Sequence, residues 1–408
     1  MENGKKKLAI IGASYLQVPL ILRAKEMGLE THAFAWAAGD AGERLADRFH
    51  PISIVEKDAI LAACRDIGID GICTIASDLA AVTVGYVADR MGLNGNPPEC
   101  IRRSTNKHAM RQAFEEHGDP SPRSILVESA ADLRGMELKY PVIVKPLDRS
   151  GSRGITKLEA PDRRQPETAR PESEALAEAI ENAKGQGFEK KALVEEFAEG
   201  QEYSVEGLSW QGQHRILAVT KKYTTGAPHF IETGHLQPAE LSRETEAEVR
   251  RVVLHALDSL GVTCGASHSE LKIAADGTIR LIEIGARMGG DFIGSDLVPL
   301  STGADFTGDV IRCALGQEPE CFRNIPERPE NPEKPEKPGK CAAVRFVFGP
   351  EDLRILKKLK AEHPEYLVRE EIQEITDAPV TDSSARFGYY LMAAQEAAEL
   401  APYLPEAD

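Results

Sequence analysis

The chain has no CxxC pair, no apolar run long enough to cross a bilayer, and no excess of basic charge. Its seven cysteines, at 64, 73, 100, 264, 313, 321 and 341, are scattered. That excludes the paired spacing of a zinc site and suits a reducing cytoplasm. The longest apolar stretches, near LAIIGA and YPVIV, are strand-sized. A membrane-spanning helix needs roughly 20 such residues. Lys and Arg number 49 against 65 Asp and Glu, a net charge of −16. This argues against a nucleic-acid partner but leaves room for a local basic cleft around a phosphate ligand. The opening MENGKKKLAIIG lacks the h-region and cleavage site of a signal peptide, so a cytoplasmic location is expected. Neither GxxxxGK[ST] nor GxGxxG occurs, which rules out a P-loop and leaves a dinucleotide site resting on Gly12 alone.

What is present is a long chain of ordinary globular balance. Its 408 residues are enough for two to four domains or lobes. Residues 7–98 alternate apolar strands (KLAIIGA, ETHAFAW, GICTIAS) with helical patterns closed by Gly28, Gly68 and Gly92. Such alternation predicts a parallel sheet with helices on both faces. NGNPPE, 94–99, marks a boundary. Thr105 is a candidate cap for a helix ending at Gly118. Beyond it, YPVIVKP carries Lys145 into the loop DRSGSRG. Residues 161–173 read as a polar surface insertion, and 326–338, with proline at every third position, as an extended polyproline II linker. Residues 341–408 hold strand candidates AAVRFVF and RFGYYLMAA and a helix, EDLRILKKLKAEH, which predicts a small α+β lobe.

Two stretches carry candidate chemistry. HSELKIAADGTIRLIEIG reads as a hairpin turning at Asp276-Gly277, the strongest short hairpin signal. A two-residue loop there sets Glu270 opposite Glu283, with Cβ atoms roughly 4.5–5.5 Å apart. Like charges so placed need compensation, and a hard divalent cation shared with substrate phosphates supplies it. Lys272, on the same face, is a second compensator. A three-residue loop would shift the register by one and weaken this reading. The other stretch is Lys145 with its glycine loop, which suits phosphate oxygens through backbone N–H groups and a point charge. Taken alone, such a loop is an ordinary hairpin tip.

The ordered set is far more specific. STNKHAMRQAFEEHG with Lys107, VIVKP with Lys145, SGSRG, LVEEFAEGQEYSVEG and SEL…LIEIGAR together resemble the ATP-grasp enzymes over about residues 7–316. The implied fold class is α/β and α+β. A Rossmann-like lobe (1–98) would precede a two-lobed ATP-grasp domain (99–318), a Pro-rich linker (319–340) and the C-terminal α+β lobe (341–408). The resemblance implies ATP bound between two lobes. Lys107 and Lys145 would contact phosphates, and Ser150, Gly151 and Ser152 would fold over them. Glu195, Phe197 and Ala198 would form the adenine hinge, and Glu202 would bind the ribose. Glu270 and Glu283 would hold Mg²⁺ or Mn²⁺, and Arg287 would stabilise the reacting carboxylate or acyl phosphate.

One position departs from the pattern. Many ATP-grasp enzymes read Glu-x-Asn, the Asn being a metal ligand, where this chain reads Glu283-Ile284-Gly285. The segment 220–241, with Lys221, Lys222, His229, Glu232 and His235, is expected to be a substrate loop. With IGARMGGD and SSARFGYYL it resembles the L-amino-acid ligase branch, in which His235 would stabilise developing negative charge. The implied activity is an ATP-dependent carboxylate–amine ligation through an acyl phosphate, on small-molecule carboxylate and amine substrates, with no nucleic acid or membrane partner. A bicarbonate-phosphorylating enzyme of the carbamoyl-phosphate-synthase or biotin-carboxylase type, and a non-catalytic ATP-binding regulator, stay open as alternatives. A homodimer through the N-terminal lobe is common in such enzymes, and the resemblance leaves one open here.

Overall fold

A computed structural model describes residues 4–149, 151, 153–160, 172–227, 230–323, 340–376, 380 and 382–406. The expected polyproline linker at 326–338, most of the insertion at 161–173, and Ser150, Ser152 and His229 lie outside these residues.

The first sheet is parallel, as the strand–helix alternation predicts. Its order is β3-β2-β1-β4, with β1 Lys7–Ile11, β2 Glu30–Phe34, β3 Arg48–His50 and β4 Gly71–Cys73. The helix after β4, Asp78–Met91, starts at Ser77, whose hydroxyl accepts from the Ala80 amide, and ends at left-handed Gly92.

The second sheet is antiparallel. It pairs β5 Ser124–Val127, β8 Ala192–Glu196, β6 Val142–Pro146 and β7 Thr156–Leu158 in the order β5-β8-β6-β7. Ahead of it runs helix Lys107–His117. Thr105 does not cap this helix, because it is the last residue of the preceding helix Pro98–Thr105. Asn106 is the cap, accepting from the Ala109 amide.

The third sheet has eight strands. Five come from the middle of the chain: β9 Gln201–Trp210, β10 Gln213–Thr224, β11 Glu232–Gln237, β12 Gly265–Ile273 and β13 Ile279–Gly285. Three more, β14 Cys341–Phe346, β15 Leu367–Ile372 and β16 Gly388–Ala394, extend it, giving β13-β12-β9-β10-β11-β14-β16-β15. The C-terminal segment thus continues this sheet, through β11 paired with β14. Much of the segment expected as a substrate loop is strand: Lys221–Thr224 belong to β10, and Glu232 opens β11.

Two cores fix the site. Leu8 and Ile10 of β1 share a buried cluster with Leu208 of β9, Ala266 of β12 and Val310 of helix Phe306–Ala314, which seats the first sheet on the third. Helices Lys107–His117 and Arg243–Leu260 cover β12 and β13 through Met110, Phe114, Val253 and Leu257 packed on Leu271, Leu281 and Ile284.

Candidate active site

The β12–β13 hairpin places Glu270 directly opposite Glu283, by a route the sequence did not suggest. The loop is three residues, 275–277, not two: Gly277 is left-handed, and its amide donates to the Ala274 carbonyl at 2.9 Å. That shifts the register by one near the turn, where Ile273 faces Ile279 and Leu271 faces Leu281. A bulge at Ile282 then restores it, so the carboxylates still meet. The bulge also settles where Glu283 points. Strict alternation from Leu281, fully buried in the core, would send Glu283 into the core as well. Instead Ile282 and Glu283 both line a cavity, while Ile284 returns to the core.

The cavity holds about 580 Å³ between the second and third sheets. Of the residues singled out in the sequence, Lys107, Lys145, Gly151, Glu195, Phe197, Ala198, Glu202, His235, Glu270, Glu283 and Arg287 all line it.

Its charges are paired. Lys107 Nζ lies 2.8 Å from Glu283 Oε1 and donates to the Arg149 carbonyl at 2.9 Å. Burial lowers the Lys107 ammonium, but Glu283 beside it outweighs this and raises it above the ordinary lysine value. Lys222 Nζ sits 2.6 Å from Glu270, 2.7 Å from Glu202 and 3.7 Å from Glu232. Burial alone would raise the Glu270 carboxyl, yet Lys222 holds it well below the usual range. Lys107 and Lys222 therefore offset the two carboxylates. Lys272 also lines the cavity, its Nζ 4.8 Å from the Phe197 ring centroid.

Glu195 is buried, with Lys145 Nζ at 2.6 Å and Arg111 Nε at 2.9 Å. Its side chain is thus committed to this cluster. Just after it, the Phe197 amide donates to the Pro141 carbonyl at 2.9 Å. Burial lowers the Lys145 ammonium, since Arg111 and Lys107 repel it and Glu195 offsets only part. Arg111 was not among the residues singled out in the sequence. Its signal was present, because it sits four positions after Lys107, one helical turn along the same face. It also donates to the Ile282 carbonyl at 2.7 Å, tying the second sheet to the bulge.

At the far end, Arg386 donates to Asp291 at 2.8 Å and lies 3.3 Å from Glu232, with its guanidinium 3.8 Å from the Phe346 ring centroid. His235 is buried, 4.0 Å from Asp291 and edge-on to Phe346. Burial pushes its imidazole down, so it is neutral at pH 7. Asp291, Arg386 and Phe346 were also missed. Phe346 and Arg386 come from the C-terminal segment, and only the shared sheet brings them here.

The donor set fits a divalent cation: two facing carboxylates in a cavity, with phosphate oxygens to complete the shell. Among the described residues, no three His, Cys, Asp or Glu side chains form a metal cluster. No helix among them is long and apolar enough to cross a membrane.

Lysines on two sheets and a carboxylate pair surround one cavity, a donor set that suits phosphate oxygens and a cation together. The model of the ATP-grasp domain family matches residues 138–296. Among known proteins, the chain is similar to alanine–anticapsin ligase of Bacillus subtilis (strain 168). They are 27% identical over 286 residues, covering 64% of this chain and 59% of that protein. Carnosine synthase 1 of Homo sapiens is 25% identical over 334 residues, 77% of this chain and 40% of its own length. The chain thus spans less than two thirds of either relative's length. The crystal structure of an L-amino acid ligase from Bacillus licheniformis superposes with a TM-score of 0.81 at 24% identity, covering 98% of this chain and 96% of that one.

Proposed function

We propose that this protein is an ATP-dependent carboxylate–amine ligase acting on amino acids. The observation that carries the reading is the Glu270–Glu283 pair, facing one cavity with Lys107, Lys145 and Arg287 around it. A bound Mg²⁺ or Mn²⁺ would be held by these glutamates and would draw charge from the transferring phosphoryl oxygens.

A carboxylate is a poor electrophile. Transfer of the γ-phosphoryl group to its oxygen makes an acyl phosphate and releases ADP. The lone pair of an amine then attacks the carbonyl carbon, phosphate leaves with the C–O bonding pair, and the nitrogen gives up a proton. The chain's residues serve these steps by placed charge. Lys107 and Lys145 face the phosphates, and Arg287 anchors the reacting carboxylate. Neutral His235 has a ring N–H to donate to the developing oxyanion. Glu202 would hold the ribose hydroxyls, and the carbonyl of Phe197 with Ala198 the adenine edge. Asp291, Glu232 and Arg386 at the far end suit the ammonium and carboxylate of an amino acid. The alanine–anticapsin and carnosine synthase resemblances support amino-acid substrates.

ADP release measured across pairs of amino acids tests this. Turnover that requires an amino-acid pair is the expected result. Turnover driven by bicarbonate, or ATP binding without turnover, overturns it.

A further inference from the structure

Gly285 stands where an asparagine metal ligand was expected, and the structure shows what fills that space. A Cβ on Gly285 would lie 3.0 Å from Asp78 Oδ1 and 3.3 Å from Arg287 Cζ and Nε. Asp78 accepts from Arg287 Nε at 2.8 Å and from Nη2 at 2.9 Å, a bidentate fork. It belongs to the N-terminal lobe, 209 positions from Arg287.

Asp78 is itself firmly held. It is the first residue of helix Asp78–Met91, directly after the cap Ser77. The loop before it is docked twice: the Ala76 amide donates to the Met288 carbonyl at 3.0 Å, and Gln17 Nε2 to the Ile75 carbonyl at 2.8 Å. Among the described residues, the pair leaves the Arg287 guanidinium one edge that Asp78 does not hold. Nε and one proton of Nη2 face Asp78, while Nη1 makes only a 3.3 Å contact with the Met288 carbonyl. An anion can take the Nη1–Nη2 edge without displacing Asp78.

On the ligase reading above, we infer that Asp78 is the positioning residue for Arg287, and that Gly285 is the vacancy which lets the pair form. The N-terminal lobe then orders a long, flexible side chain before the substrate arrives, which removes an entropy cost from binding.

The test compares the wild type with Asp78→Asn, Asp78→Glu, Gly285→Ala and Gly285→Asn. Binding of ADP, followed by calorimetry, is expected to stay within about twofold. For the carboxylate substrate, Asp78→Asn is expected to raise KM and lower kcat, together about 100-fold in kcat/KM, as for a group displaced by about 1 Å. Asp78→Glu should recover part of that. Gly285→Asn, whose side chain needs the space the pair occupies, should reproduce the defect and add little to Asp78→Asn, while Gly285→Ala, whose methyl meets Asp78 Oδ1 at 3.0 Å, should show a smaller part of it. A loss confined to melting temperature, or wild-type kinetics in Gly285→Asn, overturns the inference. A wild type without amino-acid-dependent turnover defeats the ligase reading instead, and the pairing is then judged separately. The Arg287 Nε–H resonance, assigned by its loss in Arg287→Lys, should be sharp in wild type and broadened in Asp78→Asn. An unchanged resonance overturns the inference by itself.

Discussion

Glu283 and Lys222 show two ways in which a buried charge is tolerated in one cavity. Glu283 is offset by Lys107, and its carboxylate is the group proposed to meet the cation. Glu283→Gln keeps an oxygen to accept from Lys107, so the fold should persist. Amino-acid-dependent ADP release should nevertheless fall by about 100-fold. Unchanged turnover would sink the metal role. Lys222 is different, because Glu202, Glu270 and Glu232 all surround it. Lys222→Met would leave these carboxylates facing one another without their shared cation. Removing one member of a buried ion pair typically costs about 3–5 kcal/mol. Urea denaturation should show a loss of that order, and a loss below about 1 kcal/mol would mean that water already screens the cluster.

The β12–β13 hairpin and the turn that follows it show what was legible in the sequence and what was not. Alternating apolar residues and Asp276-Gly277 gave the hairpin, and the Glu270–Glu283 pairing was read correctly. The loop length and the bulge were not readable. Both depend on how Leu281 and Ile284 pack under the helices Lys107–His117 and Arg243–Leu260, the first of them distant in sequence, while hairpin rules see only neighbours. Gly289 was quoted for its motif, yet its role is steric. Its amide donates to Glu206 at 3.0 Å, and a Cβ there would come within 2.6 Å of His268 Nδ1 and 2.7 Å of Glu206 Oε1. Those two side chains are hydrogen-bonded to each other, joining β9 to β12. Gly289→Ala should therefore force them apart and cost about 1–3 kcal/mol, as overpacking does. A denaturation midpoint equal to wild type would show that the turn shifts freely.

Histidines set an acid limit on the whole molecule, and the sign follows from their surroundings. His32 and His50 lie 3.0 Å apart on the first sheet, and burial pushes both imidazoles down. His235 is lowered by burial on the third sheet. Each takes up a proton in the unfolded chain near the ordinary value of about 6.5 but resists it in the native state. The unfolded state therefore binds more protons as pH falls below about 6.5, and stability is lost on that side. The carboxylates whose values are depressed, such as Asp291 and Glu270, act only below the ordinary carboxylate range of about 4. His268 works in the opposite window. Burial opposes its charge, but Glu206 outweighs that and pushes it up to about 9. Its contribution is complete below about 6.5 and is lost as pH rises through about 9. The ligand-free protein should thus melt highest near neutral pH, with a decline already present at pH 5. Combining His50→Gln with His235→Gln should flatten the fall between about pH 6.5 and 5, while leaving the decline towards pH 9 in place. If melting temperatures of that variant fall as steeply with acid as those of wild type, the neutral buried imidazoles are not the cause.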